Sequence, residues 1–137
     1  RAPIPPVGTA SVTIAGDLTD AFAGFCLAGA EGQYEFALSA DGYGSLGLYP
    51  TTAEFQILEE VTDGYTDDGT HRITAGWNSD GTTTNLDLYV DDQRIATAAD
   101  QTVTEFTSLN LCGTVGIDAP GTTLTYTHSD LVVAGEG

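Results

Sequence analysis

NLDLYVDDQRIATA, residues 85–98, decides the fold class. Leu86, Leu88 and Val90 alternate with Asn85, Asp87 and Tyr89; Asp91-Asp92 interrupts, and Ile95 resumes the apolar side. A period of two sets one face of a strand on a core and the other in water. A strand, a two-residue polar break and a second strand make a β-hairpin. The hairpin holds no histidine, cysteine or serine, so what it serves has to be read from the rest of the chain.

The same pattern extends in both directions. SVTIAG (11–16) alternates, and AFAGFCLAG (21–29) is apolar almost throughout, as a buried central strand would be. QYEFALS (33–39) places Tyr34, Phe36 and Leu38 on one face against Gln33, Glu35 and Ser39 on the other. Asp41-Gly42 then turns the chain into YGSLGLYP (43–50). AEFQILEEV (53–61) is expected to face the core through Phe55 and Ile57, and HRITAGW (71–77) through Ile73, Ala75 and Trp77. TEFTSLNL (104–111), GTVGI (113–117) and TLTYTHSDLVV (123–133) complete the set. Short strands with turn signals every 8–12 residues predict an all-β, antiparallel two-sheet sandwich. No helical periodicity of useful length and no fixed-period repeat is present. APIPP makes residues 1–10 an extended, proline-stiffened lead-in, with residues 11–137 as a single sandwich domain.

Composition bounds the partners. Thirteen Asp and seven Glu face Arg1, Arg72 and Arg94, with no Lys, for a formal net charge of −17. Phosphate binding relies on Lys and Arg displacing counterions, so nucleic acid is excluded as a partner. An anionic membrane surface is repelled for the same reason, and no segment is long or apolar enough to span a bilayer. Two readings of the acidity stay open. Self-repulsion keeps a secreted protein soluble, and carboxylates suit a high-salt habitat in which repulsion is screened. The lack of Lys beside 21 Thr and many Asp resembles halophilic archaeal proteins, with acidic secreted bacterial proteins as the rival source. The chain starts at Arg1 rather than Met, as expected of a processed form that a signal peptide or anchor preceded. Cys26 and Cys112 either pair, closing a loop of 87 residues, or stay as two buried thiols. The secretory character of the composition favours the disulfide.

GQYEFALSADGYGSLGLYP, THRITAGW, TNLDLYVDDQRIATA, GTVGI and LTYTHSDLVV follow one another in a familiar order. They resemble the Tyr-rich strand, Asp-Gly turn, lyVNGq hairpin and closing strands of concanavalin A-like, laminin G-like jelly rolls of extracellular prokaryotic proteins. The likeness runs over residues 24–133. It implies a jelly roll, secreted or displayed at the cell surface. Two departures stand out. The Asn-Gly turn of the family is here Asp91-Asp92, which is expected to make the turn longer or strained, since Asp takes positive φ less readily than Gly. Relatives with a disulfide pair the Cys26 position with the strand occupied here by ITAGW, where this chain has Trp77 and offers Cys112 instead.

Catalytic signals are poor. Glycosidases of this fold carry two or three carboxylates on one strand in an ExDxE or ExDxxE pattern. The nearest candidates, Glu54, Glu59 and Glu60, lack the intervening Asp. His71 and His128 have no GxSxG partner and read as structural or surface residues. Hard cations want several oxygen ligands at once, which makes Asp63, Asp67 and Asp68 a candidate calcium loop, with solvated turn aspartates as the alternative. Sugar rings stack on water-facing aromatic rings, and Tyr43, Tyr49, Tyr65 and Tyr89 are expected at turns or outward positions. Single exposed tyrosines are also ordinary sheet residues.

Two functions follow. The first is a non-catalytic extracellular recognition domain for carbohydrate or another cell-surface ligand, such as a surface protein. The second is a structural subunit of a surface layer, adhesin or filament, self-assembling through edge strands or the N-terminal arm. An enzyme finds no support.

Overall fold

The structure, a computed structural model, describes residues 4–16, 21–39, 42–66, 70–115 and 124–136, with the backbone alone described at 14–16, 21, 70, 113–115 and 124–136. The strands are β1 (Val7–Gly16), β2 (Ala21–Gly29), β3 (Gly32–Ser39), β4 (Gly44–Pro50), β5 (Gln56–Val61), β6 (Thr70–Ser79), β7 (Thr84–Val90), β8 (Gln93–Asp100), β9 (Ser108–Val115) and β10 (Leu124–Glu136). They form two antiparallel five-stranded sheets, in the orders β10-β1-β6-β7-β8 and β5-β4-β3-β2-β9. Among the described residues no helix is long and apolar enough to cross a membrane.

Alternation builds the core as the sequence implies. Ala10, Val12, Ile73, Ala75, Trp77, Leu86, Leu88 and Val90 point inward from the first sheet. Ala23, Phe25, Leu27, Tyr34, Phe36, Leu38, Leu46 and Leu48 meet them from the second. Burying each large side chain contributes about 1.5–3 kcal/mol. Val103 and Phe106, on the segment between β8 and β9, close one side of this core. The strand expected at 104–111 therefore begins only at Ser108.

Residues 7–10, read from the sequence as part of the lead-in, are the first rungs of β1, which lies between β10 and β6. The prolines before it still brace the sheet. Pro5 O accepts the Trp77 indole N–H at 2.9 Å, and Pro6 O accepts the Ser79 N–H at 2.8 Å.

Of the two expectations for the opening hairpin, a longer or a strained turn, the structure shows the second. Val90 pairs with Gln93, so the turn is two residues long rather than extended, with φ of 52° at Asp91 and 70° at Asp92. Positive φ at both central residues is the type I′ geometry whose twist matches flanking strands. Asp accepts this left-handed conformation at a cost. Asp91 offsets it by local bonds: its N–H donates to Arg72 O at 2.8 Å, and its Oδ1 accepts the Arg72 N–H at 2.9 Å.

β5 also differs. Phe55 and Ile57 are 36% and 46% exposed, and Leu58 packs on the core in their place. The cause is a register shift opposite Leu46 and Gly47, which pairs Glu59 with Leu46 but Ile57 with Gly47. The extra residue reverses the side to which the following positions point.

Cys26 and Cys112 are joined by a disulfide, with Cα atoms 5.9 Å apart. The bond staples the edge strand β9 to β2, on the side of the second sheet away from the core.

Candidate functional site

Positions of the second sheet that face away from the core should be polar by the alternation rule. Several are not. Phe22 on β2, Ala37 on β3, Tyr49 on β4 and Ile57 on β5 all fall in the outward phase. With Glu35, Tyr43, Ser45 and Phe55 they line a groove of about 260 Å³. This volume sits just below the range of roughly 300–1,000 Å³ usual for small-molecule clefts.

Gly47 makes the aromatic end possible. A Cβ at this position would lie 2.5 Å from two atoms of the Phe55 ring, so only glycine lets the ring settle on the strand. Phe55 then packs beside Tyr49, ring centroids 4.4 Å apart and planes inclined by 42°. Tyr49 is 45% exposed, so the pair presents apolar surface to solvent.

Glu35 is the charged group of the groove. Its ladder neighbours are Cys26 and Gly47, and it is partly buried. Burial pushes its carboxyl above the usual carboxylate range, and no hydrogen bond or charge among the described residues offsets that. At the rim, the Tyr43 hydroxyl donates to Glu60 Oε2 at 2.6 Å. Burial, followed by this bond and the Glu60 charge, pushes the Tyr43 phenol up as well.

Of the four tyrosines singled out by sequence, Tyr43 and Tyr49 come together in this groove. Tyr65 does not join them: its hydroxyl donates to Ser39 O, and its ring meets the His71 ring edge-on at 5.1 Å. Tyr89 sits on the outward face of the other sheet, opposite Thr74. Phe22, Glu35, Phe55 and Ile57 escaped sequence reasoning. The available signal was an excess of apolar residues in the wet phase of β2, β4 and β5.

A second depression, of about 660 Å³, lies at one end of the sandwich among Asp63, Tyr65, Thr66, His71, Asp91 and Gln93. His71 Nδ1 and Asp91 Oδ2 are 2.6 Å apart. Burial pushes the Asp91 carboxyl up, but the Arg72 N–H and the His71 bond and charge outweigh it and hold it below the usual range. Of the proposed calcium ligands, Asp63 is exposed on this rim with φ of 55°, while Asp67 and Asp68 lie outside the described residues. Among the described residues no three His, Cys, Asp or Glu side chains are placed to hold a metal ion.

The carboxylates weighed for catalysis are engaged or scattered. Glu60 accepts from Tyr43, Glu59 Oε1 accepts the Glu60 N–H at 3.2 Å, and Glu54 is exposed ahead of β5. His128 lies on β10, where only the backbone is described.

No protein-family model matches this chain, and no curated protein matches it by sequence. Solved structures do match. The chain is similar to the carbohydrate-binding module CBM66 from Bacillus subtilis, with a TM-score of 0.70 and 13% identity, covering 94% of this chain and 75% of that one. It is similar to a Bacillus licheniformis beta-glucanase, with a TM-score of 0.66 and 15% identity, covering 96% and 67%. It is also similar to the Ruminococcus gnavus IT-sialidase CBM40 bound to alpha2,3 sialyllactose, with a TM-score of 0.53 and 9% identity, covering 77% and 63%. The chain thus spans less than two thirds of that sialidase module. These likenesses establish the fold: a two-sheet jelly roll of the concanavalin A-like type.

Proposed function

We propose that this chain is a non-catalytic extracellular recognition domain that binds carbohydrate on the outward face of its second sheet. The observation that carries the proposal is the solvent-facing Tyr49–Phe55 pair beside the Glu35 carboxylate, which has no partner among the described residues. Flat rings stack on the C–H faces of a pyranose, and a carboxylate takes strong hydrogen bonds from sugar hydroxyls. An apolar groove with a few convergent polar groups is the usual form of a small-ligand site. Two of the similar structures carry the name of carbohydrate-binding modules, which supports the same direction. The disulfide supports an extracellular setting.

A glycan array, run with and without millimolar calcium, tests the proposal. Retention of a glycan class should fall at least about tenfold in Tyr49→Ala and in Phe55→Ala, a loss typical of a stacking contact. Asn85→Ala, on the outward side of the other sheet, is the control. A calcium requirement would support ligation by the 63–68 loop. Failure to retain any glycan removes the carbohydrate proposal. Lateral assembly through β5, an edge strand with exposed Ile57, then becomes the better reading. In that case light scattering would show dimers that Ile57→Lys dissolves.

A further inference from the structure

We infer that the groove selects glycans free of acidic groups, with Glu35 as the residue that sets this preference. The inference rests on the carbohydrate proposal and names its ligand class.

Among the polar side chains that line the groove, the Glu35 carboxylate only accepts, and the Ser45 hydroxyl is engaged with Tyr43. Glu35 is an acceptor with no donor to satisfy it among the described residues. Tyr43 could donate, but its hydroxyl is already directed to Glu60, a second carboxylate at the rim. A ligand therefore has to bring donors, and sugar hydroxyls are donors in quantity.

Among the described residues, no cation lies on the same face; Arg1 is outside them. The chain has no Lys. Arg72 is the third residue of β6 in the other sheet, beside Asp91. Arg94 lies on β8, in the other sheet, 3.5 Å from Asp87, and lines a separate depression with Glu59 and Glu60. Among the described residues, then, no arginine or lysine lines the groove to neutralise a uronate, sialate or sulfate group. Such a group would meet Glu35 in a partly dehydrated setting, where like charges repel more strongly than in water. Net charge adds a long-range repulsion, but one that salt screens. The local effect at Glu35 is short-range and persists.

The test is titration calorimetry of the whole chain in 1 M KCl, where the Debye length is about 3 Å and the long-range field is suppressed. The probes are matched pairs: lactose with sialyllactose, and neutral galacto-oligosaccharide with oligogalacturonate. Wild type, Glu35→Gln and Tyr49→Ala are compared, each checked for a cooperative melt. The neutral member of a pair should bind at least about tenfold more tightly in wild type, the scale of a hydrogen bond to a charged group. Glu35→Gln should weaken neutral binding by a similar factor and bring the two members within about threefold of each other. Equal or tighter binding of the acidic member in wild type overturns the inference alone. So does an unchanged neutral-to-acidic ratio in Glu35→Gln. Absence of binding to every probe, or unaltered binding in Tyr49→Ala, overturns the carbohydrate proposal and the inference with it.

Discussion

The Tyr34 hydroxyl donates to Asp100 Oδ2 at 2.7 Å and accepts the Val103 N–H at 3.1 Å. One buried phenol of the second sheet thereby fixes the end of β8 and the segment that crosses toward β9. Tyr34→Phe keeps the ring but leaves the buried Val103 N–H without its acceptor. The expected cost is about 1–3 kcal/mol, read as a lower urea midpoint at unchanged slope. Burial, above all, pushes the Tyr34 phenol well up. Ultraviolet titration should therefore leave at least one of the six tyrosines un-ionised until the protein unfolds.

Asp91 makes stability depend on acid. Its folded carboxyl titrates below the usual range, so its contribution is complete above the unfolded value, about 3.9, and is lost as pH falls through the lower folded one. Melting temperature should therefore drop more steeply below about pH 4 in wild type than in Asp91→Asn. At neutral pH Asp91→Ala should cost about 1 kcal/mol, below the usual range for a bond to a charged group because the site is exposed. Parallel acid limbs in the two proteins would dismiss this role.

Glu35 has the opposite sign. Its folded carboxyl titrates above the unfolded one, so ionisation opposes folding, and the penalty is relieved as pH falls through the raised value. Glu35→Gln should accordingly melt higher than wild type at pH 7, with the gap closing in acid. On the proposed function, Glu35 trades fold stability for ligand contact. A lower melting temperature for Glu35→Gln at pH 7 would contradict this account.

Salt should stabilise the protein. A charge of −17 on 137 residues opposes compactness when unscreened, and the Debye length contracts from about 10 Å at 0.1 M to about 3 Å at 1 M. Thermal melts in KCl should rise clearly across that range. Should millimolar calcium alone give the same gain, ligation by the 63–68 loop is the better account. A melting temperature flat in both would set aside the high-salt habitat.

The sandwich was legible because strands such as β3 and β7 have one dry and one wet face. There Tyr34, Phe36, Leu38, Leu86, Leu88 and Val90 announce the core by period alone. The candidate site was legible only in part, for the same physical reason. An outward face that carries apolar residues breaks the inside–outside rule, so Phe55 and Ile57 read as core, and the register shift that turns Leu58 inward leaves no mark in sequence. Tyr43 and Tyr49 could be proposed as exposed rings, but their partnership with Glu35 needs three strands side by side. The pairing of His71 with Asp91 joins residues twenty positions apart, and nothing in either segment signals it.

The Cys26–Cys112 bond has a topological consequence. It makes a covalent ring of everything between those residues, and Glu35, Tyr43, Tyr49, Phe55 and Ile57 all lie within it. A protease that cuts one peptide bond anywhere in the ring opens it without freeing a fragment. The severed pieces stay linked through sulfur, and two cuts are needed before the part of the groove inside the ring, all but Phe22 of the lining named above, can leave.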